Sequence, residues 1–165
     1  TTEIYTLSLH DALPILKFRF DVACAGRLGM ELQPKNMTEE EKAFARKAIA
    51  NYKGYRDIVA TGDLYRIGSP VDGSGTHGVL YVSQDKKRAV FFAYCTKYQS
   101  RTTCPQFRLR GLSAELDYHI EELNVEKSSS WFSGKTLPGS MLISKGLNPP
   151  VKQVYQSAVF LLEAK

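Results

Sequence analysis

The sequence predicts a mainly β protein: a C-terminal antiparallel β-sandwich over residues 62–165, preceded by one strand–helix unit over residues 16–61. Three observations carry this expectation. From Gly62 onward, apolar residues recur with period two in short runs separated by Gly-, Pro- and Ser-rich turns. Before Gly62 lies a capped stretch with helical period. Residues 1–15 match neither part, having no Lys or Arg although the chain holds 22 in all.

The opening "TTEIYTLSLHDALPI" is not a secretory signal. Glu3 is its only early charge, and His10, Asp11 and Pro14 interrupt any apolar run. Residues 17–23, "KFRFDVA", alternate polar and apolar side chains and read as a strand. Gly26 and Gly29 follow, and glycines in that position permit close backbone packing or unusual dihedrals. The best helix signal spans 38–53. Thr38 is an N-cap and Glu41 completes a capping box. Glu39 and Glu40 favour the positive helix start, while Arg46, Lys47 and Lys53 lie toward the negative end. Phe44, Ala45, Ala48, Ile49 and Tyr52 form one apolar stripe. Gly54 is a candidate stop, and Tyr55, Ile58 and Val59 can extend the packing face. One βα unit leaves that face uncovered, so residues 16–61 read as the tail of a larger α/β domain.

After a boundary near 60–62, strands are expected at "DLYRI", "HGVLYVS", "RAVFFAYCTKY", "QFRLRGL", "DYHIEEL", "SMLIS" and "QVYQSAVFLLE". The pieces "GSPVDGSGT", "SQDKKR", "SSSWFSGKTLPG" and "KGLNPP" are expected turns. Strands at this spacing without helices between them point to an antiparallel sandwich or barrel.

At 165 residues, 43% hydrophobic and 24% charged, the composition is that of a globular domain. No run approaches the roughly 20 apolar residues of a membrane helix. The net charge of +5 raises the question of a polyanion partner. The basic residues are scattered, however, and the densest cluster, Lys86-Lys87-Arg88, falls in an expected turn. Neither a nucleic acid nor a membrane is the expected partner. Cys24, Cys95 and Cys104 form no Cys-x-x-Cys, and His77 and His119 lack ligand spacing, so no metal is expected. Pairing of Cys95 with Cys104 across a hairpin stays open.

The stretch "FDVACAGRLGMELQPKNMTEEEKAFARKAIANYKGYRDIVATGDLYRIGSP" resembles the end of the catalytic domain of bacterial α-galactosidases of glycoside hydrolase family 36. The family pattern there is Ser-Gly-x-x-Gly-x-Glu-Leu, then an acidic helix start, then Gly-Asp-Leu-Tyr-Arg-Leu. This chain has Ala25 for the Ser, keeps Gly26, Gly29, Glu31 and Leu32, and has Gly62-Asp63-Leu64-Tyr65-Arg66-Ile67. "VSQDKKRAVFFAY", "FRLRGL" and "DYHIEEL" resemble the family's terminal β-domain. The resemblance implies that 18–22 is the last strand of a truncated (β/α)8 barrel, 38–53 the helix after it, and 62–165 the β-sandwich. It implies a retaining parent enzyme that removes terminal α-linked galactose from oligosaccharides with two carboxylates about 5–5.5 Å apart and no cofactor.

Neither carboxylate is expected in this chain. The family's nucleophile lies in Lys-Trp-Asp, but the only Trp, Trp131, precedes Phe132; the acid/base follows a Ser, and no Ser-Asp pair occurs. No catalytic, substrate-binding or metal-ligating residue is therefore assigned. Glu31 reads as a structural hydrogen-bonding group, Asp63 as ordering the junction turn, and Glu39, Glu40 and Glu41 as helix-start residues. Glu121 and Glu122 fall on opposite faces of a strand and cannot form a dyad. Trp131, Phe132 and Tyr118 read as core or interface packing rather than a sugar platform.

The expected partners are the remaining barrel and N-terminal domain of the same polypeptide and, through the parent enzyme, an α-galactoside. A homo-oligomer is left open. The resemblance starts at Lys17. Residues 1–15 resemble instead the translation of a universal short-read sequencing adapter, so they are expected to be foreign, to be poorly packed or to occupy the face left by the missing barrel, and to mark a truncated metagenomic reading frame. A stand-alone β-sandwich carbohydrate-binding or interaction module is the alternative.

Overall fold

The computed structural model describes residues 12–29, 33–68, 73–97, 105–125 and 129–165, with side chains from Ile15 onward. Two helices come first, α1 (Ala12–Cys24) and α2 (Glu39–Thr61). Strands β1 (Asp63–Ile67), β2 (Thr76–Val82), β3 (Arg88–Cys95), β4 (Asp117–Leu123), β5 (Lys135–Pro138) and β6 (Gln156–Ala164) follow, with a short helix α3 (Gly139–Ser144) between the last two. The described strands form one antiparallel sheet of order β1-β2-β3-β6-β4-β5. The mainly β, antiparallel class is as the period-two runs predict.

β3 and β6 are the centre of the sheet. β3 is buried from Ala89 to Cys95 on both faces, which is why "AVFFAYC" is apolar without alternation. Phe91 faces Phe160 across the β3–β6 ladder, and their rings stack at 6.1 Å. That face also gathers Leu80, Ala93, Ile120 and Leu162. The layer covering it is not a second sheet. It consists of segment 105–112, α3, Phe132 and residues 147–151. On the opposite face, Val90, Phe92, Tyr94 and Val159 meet Cys24 of α1 and Tyr55 and Ile58 of α2.

Five segments differ from expectation. "QFRLRGL" keeps its alternation, with Phe107 and Leu109 buried and Arg108 and Arg110 exposed. It joins no ladder beyond a single bridge to Leu147, because its amides turn to Leu147 and Leu142 of the covering layer at 2.8 and 3.0 Å. "SMLIS" lies in α3 rather than a strand. Pro138 ends β5 without an amide to donate, and Gly139 then packs so closely that a Cβ would lie 1.9 Å from the Ser113 carbonyl oxygen. β5 itself carries no alternation that reads as a strand, and it arises inside an expected turn. Helix α2 runs through Gly54 for two more turns because Tyr55 and Ile58 bury against the sheet. It stops at Gly62, where a Cβ would sit 2.6 Å from the carbonyl oxygens of Ile58 and Val82.

The fifth difference is the largest. Residues 17–23, expected as a strand, are helical within α1. No described strand forms a ladder with them, whereas a helix satisfies its own amides. The period changes accordingly: Leu16, Phe20 and Cys24 are buried at four-residue intervals, and Lys17 and Asp21 at the same interval. Val22, apolar in the strand pattern, is left 49% exposed.

Candidate functional site

The expected site residues are dispersed. Glu41 closes a capping box: its Oε2 accepts from the Thr38 amide at 2.8 Å, and Thr38 Oγ1 accepts from the Glu41 amide at 3.2 Å. Glu39 accepts from Lys42 at 2.8 Å, a contact that holds its carboxyl below the usual range. Asp63 accepts from Gln84 Nε2, which also reaches the Thr61 carbonyl, so the junction turn is ordered as expected. Glu122 accepts from the Ser130 amide, while Glu121 is exposed on the other face of β4. Tyr118 and Phe132 are core residues, but Trp131 is 57% exposed. Its Nε1 donates to Asn148 Oδ1 at 3.3 Å, and Lys135 Nζ lies 4.8 Å from its ring. His10, Asp11, Glu31 and Cys104 lie outside the described residues. Cys95 is a free thiol that donates to the Lys97 carbonyl at 3.2 Å. Among the described residues no three His, Cys, Asp or Glu side chains gather to hold a metal, and no helix is long and apolar enough to cross a membrane.

The polar cluster that the fold does assemble sits where α1, α2 and the sheet meet. Asp21 is fully buried. One carboxylate oxygen accepts from Asn124 Nδ2 at 2.8 Å; the other accepts from Ser157 Oγ at 2.7 Å and from Lys17 Nζ. Lys17 Nζ also donates to the Ser157 carbonyl at 2.8 Å. Asn124 takes a left-handed backbone (φ 56°) at the end of β4 and accepts from Asn51 Nδ2 of α2 at 2.9 Å. Tyr94 donates to the Asp21 carbonyl at 3.0 Å. One buried carboxylate thus ties α1, β6 and β4, and Asn124 extends the tie to α2.

Around this cluster every titratable hydroxyl or thiol is held neutral. Burial pushes the Cys24 thiol up to about 11, with Asp21 adding to the rise against a lowering contact from Tyr55. Burial likewise raises the Tyr55 and Tyr94 phenols, and the Cys24 and Asp21 charges push the same way. A thiol this far above neutral pH is no nucleophile. The Asp21 carboxylate, with three side-chain donors on it, stands opposite an ammonium and not a second carboxylate. The arrangement can hold elements together; it cannot run two-carboxylate chemistry. Sequence reading missed it because Lys17 and Asp21 face each other only with helical spacing, and the strand pattern hid that spacing.

Neither Gly26 nor Gly29 is demanded by packing in this chain. A Cβ on Gly26 would meet only the Ala23 carbonyl oxygen at 3.9 Å, and one on Gly29 nothing within 4 Å.

A groove of about 630 Å³ lies beside the edge strand β1, lined by Leu64, Tyr65, Arg66, Gln106, Arg108 and Arg110 among others. The Tyr65 ring packs on Gly111, where a Cβ would lie only 2.4 Å away, and this fixes one wall.

The architecture has close relatives. A sequence model of the glycosyl hydrolase family 36 C-terminal domain matches residues 76–162. The α-galactosidase AgaA of Geobacillus stearothermophilus is 33% identical over 124 residues, 74% of this chain and 17% of that protein. Alpha-galactosidase 2 of Hypocrea jecorina is 32% identical over 149 residues, 90% of this chain and 18% of that protein. A crystal structure of AgaA superposes with a TM-score of 0.76 at 28% identity over 89% of this chain and 19% of that one. The α-galactosidase of Lactobacillus brevis superposes with a TM-score of 0.73 at 27% identity, covering 89% and 20%. The chain spans less than a fifth of the length of these two curated relatives. With more than half its residues matched by the family's C-terminal domain and its sheet superposing on the same enzymes, the chain belongs to glycosyl hydrolase family 36.

Proposed function

We propose that this chain is the non-catalytic C-terminal part of a retaining α-galactosidase that hydrolyses terminal α-linked galactose from oligosaccharides, and that the chain alone is inactive. The observation that carries the reading is a whole-sequence one. The chain aligns with α-galactosidases over less than a fifth of their length, yet has neither Lys-Trp-Asp nor Ser-Asp. Three of its acids are engaged elsewhere: Glu41 in the capping box, Glu122 on the Ser130 amide, Asp21 in the buried cluster. A doubly substituted variant of one relative, AgaA, has been crystallised in complex with raffinose, which fits a parent acting on raffinose-type oligosaccharides.

On this reading residues 16–61 are the end of a catalytic (β/α)8 barrel, residues 62–165 are the C-terminal β-domain, and residues 1–15 come from a sequencing adapter. Segment 17–23 then runs as a barrel strand in the parent and turns helical when it has no neighbouring strand. Its strand-like alternation and the two glycines that nothing here demands support this. In the parent, the β-domain would cover and brace the barrel.

The test is to incubate the purified chain with an aryl α-galactoside. Release of the aryl group at the uncatalysed rate is expected. Turnover that saturates with substrate and disappears on denaturation would overturn the assignment.

A further inference from the structure

We propose that Lys17 and Asn124 condense to an intramolecular side-chain amide, with Asp21 moving the protons, so that α1 becomes covalently joined to the residue that ends β4. The reacting groups stand on one carboxylate. Lys17 Nζ donates to Asp21 Oδ2, and Asn124 Nδ2 donates to Asp21 Oδ1 at 2.8 Å. A carboxylate only accepts, so the Asn124 atom facing Asp21 is its NH2 group. That leaves Asn124 Oδ1 to accept from Asn51 Nδ2 at 2.9 Å. An amine, an amide carbonyl, a shared acid–base group and a donor on the carbonyl oxygen are thus brought together from α1, the end of β4 and α2. Asp21 and Asn124 are fully buried and Lys17 nearly so, which excludes water from the site.

The condensation balances without a further reactant. Transfer of one proton from the Lys17 ammonium to Asp21 removes two buried charges and frees the amine lone pair. The Ser157 carbonyl oxygen accepts from Nζ at 2.8 Å and holds the amine in place. Nζ then bonds to Asn124 Cγ. The carbonyl electron pair moves to Oδ1, where the Asn51 donor stabilises the developing charge. Asp21 gives its proton to Nδ2 and takes one from Nζ. The carbonyl re-forms, the Cγ–Nδ2 bond breaks, and Nδ2 leaves as ammonia. The product is a secondary amide between Lys17 and Asn124, with one proton left on Asp21. The two residues lie more than a hundred positions apart, so the site exists only in the folded chain and the bond follows folding. A freshly folded chain carries the ion pair, and an aged one the amide. The reaction depends on these residues alone and not on the function proposed above.

The test is intact-mass spectrometry of the purified folded chain during prolonged incubation. The mass should fall by one ammonia. A tryptic digest should then contain the Lys17 peptide joined to the Asn124 peptide, with cleavage after Lys17 lost. The same chain held unfolded in urea should keep its full mass. Lys17→Arg leaves a cation on Asp21 but cannot form the bond, so its mass should not change. Asn51→Ala should slow the reaction by about a hundredfold. Should either variant not fold, the folded and urea-held samples of the unsubstituted chain still decide the question. A folded chain that keeps its full mass would overturn the proposal. So would loss of water with Lys17 joined to Asp21, or loss of ammonia with no second peptide attached, as from a cyclic imide at an asparagine. A loss that persists in Lys17→Arg, or a rate indifferent to Asn51→Ala, would overturn it equally.

Discussion

The sheet and the helical layer that covers one of its faces are held by different forces. At the centre of the sheet, Phe91, Phe92 and Phe160 are fully buried in register and touch other apolar groups on both faces. Nothing in that core depends on an ionised group. The helical layer buries fewer large side chains: four residues of α2, and in α1 Leu16, Phe20 and Cys24 beside the polar Lys17 and Asp21. Its attachment runs through one carboxylate that serves Lys17, Ser157 and Asn124. Apolar burial is non-directional and tolerates small shifts, whereas a buried charge is stable only while all its partners are in place. The sheet is therefore the robust unit, and the fold of residues 12–24 is conditional.

Removing either force should separate the two regions. The largest effect is expected for Phe160→Ala, which opens a cavity between Phe91 and Phe132. It should cost about 4 kcal/mol in a urea titration and destabilise the whole chain as one unit. Asp21→Ala is expected to cost about 3 kcal/mol by removing the carboxylate that Lys17 and Asn124 share. Its signature differs, because α1 should detach first. A helical signal lost before the near-ultraviolet signal of the sheet would show that, and a single coincident transition would not fit.

Alkaline pH tests the same layer without a mutation. Cys24, Tyr55 and Tyr94 have raised values in the folded chain. An acid raised on folding holds its proton longer than in the unfolded chain, so its contribution is fully present below the ordinary value and disappears as pH climbs past it. For Cys24 that window runs from its ordinary 9.0 to about 11. Stability should be flat through neutral pH and fall above about 9. Replacing Cys24→Ala should flatten the first part of that fall. The smallest effect is expected at the other end of the layer: Thr38→Ala removes the capping box and should cost about 1 kcal/mol, read as a small shift in the thermal midpoint.

The two regions were also unequally legible in the sequence. β1 to β4 and β6 were visible as short strand-like runs between turn-rich pieces, and the capping box of Thr38 and Glu41 was readable residue by residue, because both signals are local. "QFRLRGL" shows the limit of such a signal: the alternation of Phe107 and Leu109 reports which side is buried, and it does not say whether a ladder or a covering layer takes the amides. For residues 17–23 the local pattern pointed the wrong way, since the choice between strand and helix depends on whether a neighbouring strand is present. The Asp21 cluster was invisible for the same reason. It joins residues more than a hundred positions apart, and Asn124 and Ser157 carry no mark of their role. The groove was half visible: the alternating arginines of "FRLRGL" are plain, but only the sheet order shows that they flank an edge.

Hydrogen exchange on the intact chain, followed residue by residue, tests most directly whether the sheet is autonomous and the helical layer conditional. The amides of β3 and β6 should exchange only through global unfolding, with the same denaturant dependence. Those of α1 should exchange through a smaller opening that Asp21→Ala enlarges and that leaves β3 and β6 unchanged. Amides of α1, β3 and β6 that all exchange with one free energy, shifted together by Asp21→Ala, would contradict the account.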